Sequence, residues 1–497
     1  MAGATGCQGA ALMQIVAQGL ADAVLTGMPS ATFFRFQSKA YTNFALEVHI
    51  QDFNAGVPNF GSQPKINIDR VGDLVYFMYI LAEIPGIGLP YVVSASQTII
   101  LGNPGTPAQG LEPYWTQDVG QALIEKTSVY IGGQCIDEIH SEFLYIWEEL
   151  SGQPGKHLKE MTGNFYSAVA LQMASKQPRN LYIPLPFWFT LNSGNALPLV
   201  SLQFHSFQVQ IAIRQYQKLL KLPYATMQAP YNYTLSDIEK RPLFNPVYTY
   251  DVQPASALSK LTSSDLLAKV IVCYVYLDQR ERSQFADGQF ETLINQHQFQ
   301  ETSVNQTVSA TNAYGSSDMW NTLELTFNHP VFELYWVARL GIHEDFLTAD
   351  IPEYNEWFNF KGPLDTVNLL HIDPFKEAQL KLNNSNRWPQ IECRYFRLVE
   401  PWQYHTNIVN HNMIYSYSFS LQPEDVQPAG SCNFSRIDNA CIQFKVDRRC
   451  FIGPQNSQVA PSATNPSPNS HVSILVLCQN YNILRFKYGL GGLRFAA

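Results

Sequence analysis

The chain has 497 residues, of which 46% are hydrophobic and only 15% charged, against about 25% charged in an ordinary soluble domain. The length predicts about two to four domains; the charge deficit, with 30 Phe, 26 Tyr and 30 Pro, excludes a helical enzyme rich in Lys, Glu and Ala and points to an all-β protein partly buried by neighbouring copies. The net charge of −9 comes without a basic run or an acidic tail, which excludes a nucleic-acid arm, and no direct contact with nucleic acid is expected.

The eight cysteines are scattered, with no CxxC and no Cys/His set at zinc spacing. They read as free thiols of a reducing compartment, with Cys273 and Cys478 as core residues of apolar strands. Residues 1 to 30 have no Lys or Arg before their apolar part, so no signal peptide is evident. No run reaches the ~18 apolar residues of a membrane span. A protein made and folded in a cytosol is expected.

In chain order, Leu12, Ile15, Val16, Leu20 and Val24 fall close to helical spacing, so residues 11 to 25 read as a short helix ended by Thr26-Gly27. It either packs on its own domain or forms an apolar arm that contacts a membrane surface or a partner protein. Strands are expected at Phe44 to Phe53, Lys65 to Arg70, Asp73 to Ile84, Leu123 to Ile131, Leu181 to Leu191, Leu197 to Leu202, Phe207 to Ile213 and Val270 to Leu277. Eight strands in this order suit a jelly roll.

The second half repeats the order. Gln298 to Val304 echoes Leu46 to Phe53, and Leu323 to Val337 echoes the paired strands from Lys65 to Ala82. Ala378 to Leu382 with the polar hairpin Asn383 to Asn386 matches Thr127 to Ile131 with Gly132 to Gln134. Met413 to Leu421 matches Leu181 to Leu191, Cys432 to Val446 supplies two short strands, and Ser473 to Phe486 matches Val270 to Leu277. The expected fold is all-β: two tandem eight-stranded jelly rolls with short helices in the connections. The expected domains are an arm at 1–27, a first roll at 28–280, a linker at 281–293 and a second roll at 294–497.

The long connections, 85–120, 215–264, 305–321, 341–375 and 447–470, are rich in Pro, Gly, Ser, Asn and Thr and mostly fall at one end of the barrels. The connection 140–180 is expected at the other, more compact end. Pro428 to Asn439 reads as a turn at Gly430 feeding a short alternating strand, with Cys432, Phe434, Arg436 and Asp438 on one face and Asn433 on the other. Arg436 and Asp438 then suggest a charge pair at a barrel end or an interface.

Catalytic patterns are missing. Glu148 and Glu149 could suggest a glycosidase pair, yet helix-end carboxylates suffice. His343-Glu344-Asp345 lacks ligand spacing and reads as a loop tip. Gly489-Leu-Gly-Gly opens no helix and reads as a glycine-bent tail. No GxSxG elbow or phosphate-binding loop occurs, so neither enzymatic activity nor a cofactor or metal is expected. Sequons occur at Asn232, Asn305, Asn383 and Asn433; if sugars are attached, Asn232 and Asn305, on the decorated end, are the candidates.

A set of motifs runs almost end to end: Leu25-Thr-Gly, Thr32-Phe-Phe, Tyr41-Thr-Asn-Phe-Ala, Gly72-Asp-Leu, Ile131-Gly-Gly-Gln-Cys-Ile-Asp137, Ala196-Leu-Pro-Leu-Val-Ser-Leu-Gln203, Tyr276-Leu-Asp, Glu281-Arg-Ser-Gln-Phe-Ala286, Phe327-Asn-His-Pro330, Cys432-Asn-Phe-Ser-Arg-Ile-Asp-Asn439 and Asn480-Tyr-Asn-Ile-Leu-Arg485 with Gly491-Gly-Leu. In this order the chain resembles the double jelly-roll major capsid protein of nucleocytoplasmic large DNA viruses, the chlorella-virus and algal-virus type in particular. The resemblance implies a homotrimer whose six barrels form a pseudo-hexagonal block in an icosahedral shell around a lipid-lined DNA genome, assembled in the host cytoplasm. It implies minor capsid and penton proteins as partners. It also places the N-terminal segment, with Leu12, Ile15, Val16 and Leu20, beneath the block on the side of the internal membrane and minor proteins. Cys432, Asn433, Phe434, Arg436 and Asp438 become a structural signature. The alternative class is a carbohydrate-binding or glycoside-cleaving β-sandwich, motivated by Trp115 and Trp357 as exposed loop aromatics.

Overall fold

A computed structural model describes residues 8–20, 22–36, 38–87, 114–165, 168–221, 266–305, 320–344, 355–363, 371–451 and 471–495. Residues 1–43 and 44–497 form separate compact units. In the first, the expected single helix is two: α1 (Gln8–Val16) and α2 (Asp22–Thr26). Gly19, a poor helix former, sits in the break, its N–H donating to the Asp22 carboxylate at 2.7 Å.

The remainder is built from two sets of strands. The first set is β1 (Phe44–Asp52), β2 (Lys65–Asn67), β3 (Leu74–Ile84), β4 (Ile124–Ile131), β5 (Gln134–His140), β6 (Arg179–Pro184), β7 (Phe207–Ile213) and β8 (Leu267–Leu277). The second is β9 (Phe290–Asn305), β10 (Trp320–Glu324), β11 (Pro330–Leu340), β12 (Phe375–Leu382), β13 (Ser385–Asn386), β14 (Tyr415–Ser418), β15 (Ala440–Val446) and β16 (His471–Lys487). The helix α3 (Ser141–Ser151) follows β5, α4 (Gln279–Asp287) joins the two sets, and α5 (Glu400–Tyr404) lies between β13 and β14.

Antiparallel pairing orders the first set as β1-β8-β3-β6 against β2-β7-β4-β5, and the second as β9-β16-β11-β14 against β10-β15-β12-β13. Each strand therefore has its counterpart eight places later, and each pair of sheets, four strands apiece apart from short added strands, is a jelly roll. Even the irregularities repeat: β8 steps past Tyr76 of β3, and β16 steps past Phe332 of β11. Apolar residues facing inward, such as Val75, Met78 and Ile80 in one roll and Leu334, Trp336 and Ala338 in the other, make the two cores.

Turn chemistry matches too. The β4–β5 hairpin turns on Gly132 and Gly133 (φ 58° and 84°), and β12–β13 on Asn383 and Asn384 (φ 49° and 63°), the left-handed pairs that two-residue hairpins require. A side chain at position 132 would also collide with His205, 2.5 Å from where its Cβ would stand.

Several expected elements differ. β5 (Gln134–His140) was not expected, whereas Leu197 to Leu202 is a two-residue strand followed by a 3₁₀ turn. The helical connection after β5 does not lie at the opposite end. His140 pairs with Lys126 and Ile213 with Ile124, so α3 leaves from the same end as the connections after β3 and β7. Connections 88–113, 222–265, 306–319, 345–354, 364–370 and 452–470 lie outside the described residues.

Candidate assembly interface

The outward face of the β9-β16-β11-β14 sheet is covered by the first roll. On β9, His297 packs against Phe143 with ring centroids 4.2 Å apart and planes tilted by 54°, and meets Asp137 at 2.9 Å, while Phe299 stacks on His140 at 4.1 Å. On β11, Tyr335 meets the edge of Phe143, and Val337 joins the first roll's core. β11 is thus buried on both faces.

At the end where the long connections emerge, charge is buried in this contact. Arg339 of β11 reaches Glu142 of α3 at 2.9 Å and Glu344 at 2.5 Å, and its guanidinium lies over Trp357. Burial works to raise the Glu344 carboxyl, but Arg339 overrides it and holds it at about 2. Arg214 also lies over Trp357, 3.7 Å from the ring centroid, and burial pulls it down to about 10. Such a pair is costly to bury and more costly to break, because either partner alone is an uncompensated charge. Asn412 adds a neutral link, donating to the Tyr145 hydroxyl at 3.2 Å and to the Phe358 carbonyl at 2.7 Å. Nearby, burial raises Asp118 to about 7, and burial together with Asp118 raises Glu148 to about 7.

The same face of the first roll is bare. Phe44, Leu46, Val48 and Ile50 of the edge strand β1 form a period-two apolar row, each 51% to 59% exposed. Half-buried Phe77, Tyr79 and Leu81 of β3 continue it across the sheet. An exposed apolar patch of this kind marks an interaction surface. In the second roll, the segment after β13 presents a second one: Tyr395, Val399 and Trp402 are exposed, Trp402 by 77%.

The residues singled out from sequence fall as follows. Leu12, Ile15, Val16 and Leu20 lie on or after α1, exposed by 63% to 96%. Cys432 and Asn433 pair with β11, but Phe434 to Arg436 is a 3₁₀ turn, so the expected strand parity fails: Phe434 is buried while Arg436 and Asp438 are exposed. The Asn433 side chain accepts from the Ser435 N–H at 3.1 Å and Ser435 Oγ from the His329 N–H at 2.8 Å, which closes the turn. Among the described residues neither Arg436 nor Asp438 forms a salt bridge. Asn305 is exposed at the end of β9, and Asn232 lies outside the described residues.

Other readings change. His343 is buried and Glu344 ion-paired, not a loop tip, and the described residues hold no cluster of metal-ligating type. Gly489 turns a hairpin between β16 and a terminal strand, Leu490–Leu493. Trp115 and Trp357 are buried, which removes the motive for the carbohydrate reading. The seven described cysteines are free, Cys273 and Cys478 among the buried ones. Sequence reasoning missed the row on β1 as a surface; its clue was the apolar Phe-x-Leu-x-Val-x-Ile alternation beginning at Phe44, opposite a face carrying Glu47 and His49.

The strand order defines a double jelly roll. Two solved structures share the fold: VP54 of PBCV-1, with TM-score 0.66 and 24% identity over 94% of this chain and 100% of that one, and the Faustovirus major capsid protein, with TM-score 0.61 and 12% identity over 96% of each. The sequence matches the family described as major capsid protein N-terminus over residues 32–278 and that described as large eukaryotic DNA virus major capsid protein over 281–492. The chain belongs to the large eukaryotic DNA virus major capsid protein family. Its relatives include the major capsid proteins of Pyramimonas orientalis virus, 29% identical over 98% of this chain and 100% of the relative, and of Paramecium bursaria Chlorella virus 1, 28% identical over 98% and 99%. It is a virion capsid protein.

Proposed function

We propose that this capsid protein works as a homotrimer whose six jelly rolls form a pseudo-hexagonal block, and that these blocks tile an icosahedral shell around an internal membrane and a double-stranded DNA genome. One observation carries the reading: the first roll leaves bare and apolar the sheet face that, in the second roll, another roll covers. A heterologous contact of this type closes into a ring when the rotation between successive copies closes, and the proposal is that it does so after three. The purified protein should sediment at three times its 56.1 kDa chain mass; a stable monomer at micromolar concentration would overturn the proposal.

The exposed apolar side chains at Leu12, Ile15, Val16 and Leu20 support a role for residues 1–27 as an arm that contacts the internal membrane or a minor capsid protein. Minor and penton proteins are the further partners, and assembly takes place in the host cytoplasm without direct nucleic-acid contact. The boundaries proposed from the sequence for the rolls are 28–280 and 294–497, joined through 281–293; in the structure the strands of the first roll begin at Phe44 and those of the second at Phe290, inside that linker. Arg436 and Asp438, exposed and outside any described ion pair, are proposed to face a neighbouring subunit. Arg436→Ala should then lower the trimer fraction without moving the melting temperature, and an unchanged trimer would leave the two as ordinary surface charges. Glycans, if present, are assigned to Asn232 and Asn305.

A further inference from the structure

The contact between the two rolls can be transferred onto the bare face residue by residue, because the strand registers repeat. The shared irregularity in β3 and β11 makes Phe77 the counterpart of Glu333, hence Tyr79 of Tyr335 and Glu83 of Arg339. Through β8 and β16 the same register makes Val48 the counterpart of His297, and Ile50 of Phe299. On the opposing side, Lys126 pairs with His140 and Glu377 with Glu392, each just past the same irregularity at the start of its strand. Counting on from there, Arg394 corresponds to Glu142 and Tyr395 to Phe143.

The charges are exchanged but remain complementary. Within the chain Arg339 meets Glu142; the corresponding positions hold Glu83 and Arg394, an acid on the sheet and a base on the covering segment. Both are exposed in the single chain, and among the described residues Glu83 has no salt bridge. Among the described residues the Arg394 side chain, itself exposed, pairs with the largely buried Asp373 at 3.2 Å and the exposed Glu392 at 3.6 Å. The apolar part matches as well: Phe143 covers His297 and Tyr335, and its counterpart Tyr395 is exposed, as Val48 is.

We infer that the contact between subunits repeats the contact inside the chain, with Tyr395 of one copy seated over Val48 and Tyr79 of the next and Arg394 paired to that copy's Glu83. This rests on the trimer reading and gives it a residue-level partner. The exchanged charges also make the contact directional, since the first roll's covering segment carries an acid and is repelled by Glu83, while the second roll's carries a base and is attracted.

The test is a charge swap in the full chain, read by sedimentation. Glu83→Arg alone should weaken trimer association by about tenfold or more, and Glu83→Arg with Arg394→Glu should restore it. Because Arg394→Glu alone faces Asp373 and Glu392, melting of each variant is followed in parallel. A short bis-maleimide applied to Val48→Cys with Tyr395→Cys should give covalent trimers absent from the wild type. If the wild type is monomeric, the trimer reading itself fails. If it is trimeric while Glu83→Arg has no effect and the cysteine pair does not cross-link, the trimer stands and this contact is wrong.

Discussion

Asp118 shows how much one position can hold. Its backbone is left-handed at φ 51°, and its buried carboxylate accepts from Asn164 Nδ2 at 2.9 Å. Burial raises it to about 7, and burial plus the charge of Asp118 does the same to Glu148. Unfolded, such groups titrate near about 3.9 and 4.3. The folded protein therefore binds more protons between those values and 7, so the stability these groups contribute is present at pH ~4 and lost as pH rises through 7. Carboxylates held at about 2, such as Glu138 and Glu344, oppose this trend only below pH ~5, where their unfolded forms still bind protons. Melting temperature should decline from pH 5 to 8, and Asp118→Asn, which keeps the acceptor oxygen and tolerates the left-handed backbone, should flatten the decline. An unchanged slope in the variant would show that other groups set it. None of this was legible in the sequence, where Asp118 is one acid among 41.

At the scale of elements, the strands with a single buried face were the legible ones. β3, β7 and β8 alternate between core and outside, and their positions follow from that period. β5 escaped because it is sandwiched: Ile136 and Ile139 face the first core while Asp137 meets His297 of the second roll, so burial does not alternate. Leu197 to Leu202 and Cys432 to Asn439 misled in the opposite way. Each is a two-residue strand on the central strand of its roll, then a 3₁₀ turn at Leu199–Ser201 or Phe434–Arg436. A short apolar run cannot declare the turn that follows it; the chained His329–Ser435–Asn433 bonds that close the second one are long-range or invisible to period. The arm is the element whose role can be removed cleanly. Deleting residues 1–25 should leave trimers folded and impair shell assembly on a membrane, with vesicle flotation of the intact protein exceeding that of the truncated one. Equal flotation and equal assembly would refute a membrane or partner role for Leu12, Ile15, Val16 and Leu20.

For the molecule as a whole, the low charge content now has a location. The second roll's outward sheet face is buried under the first roll, and the first roll's is apolar and bare. Repetition of the fold within the chain thus leaves one unsatisfied face and one unsatisfied covering segment, the arrangement that a cyclic assembly requires. The tandem order of strands could be read from the sequence because both rolls follow the same sequence of pairings; the inter-roll surface could not, since it joins residues such as Glu142 and Arg339 across nearly two hundred positions. The most direct measurement is negative-stain imaging of the purified wild-type protein. Three-chain particles with a hexagonal outline are the predicted result. Isolated particles of single-chain size, or open filaments, would contradict the account.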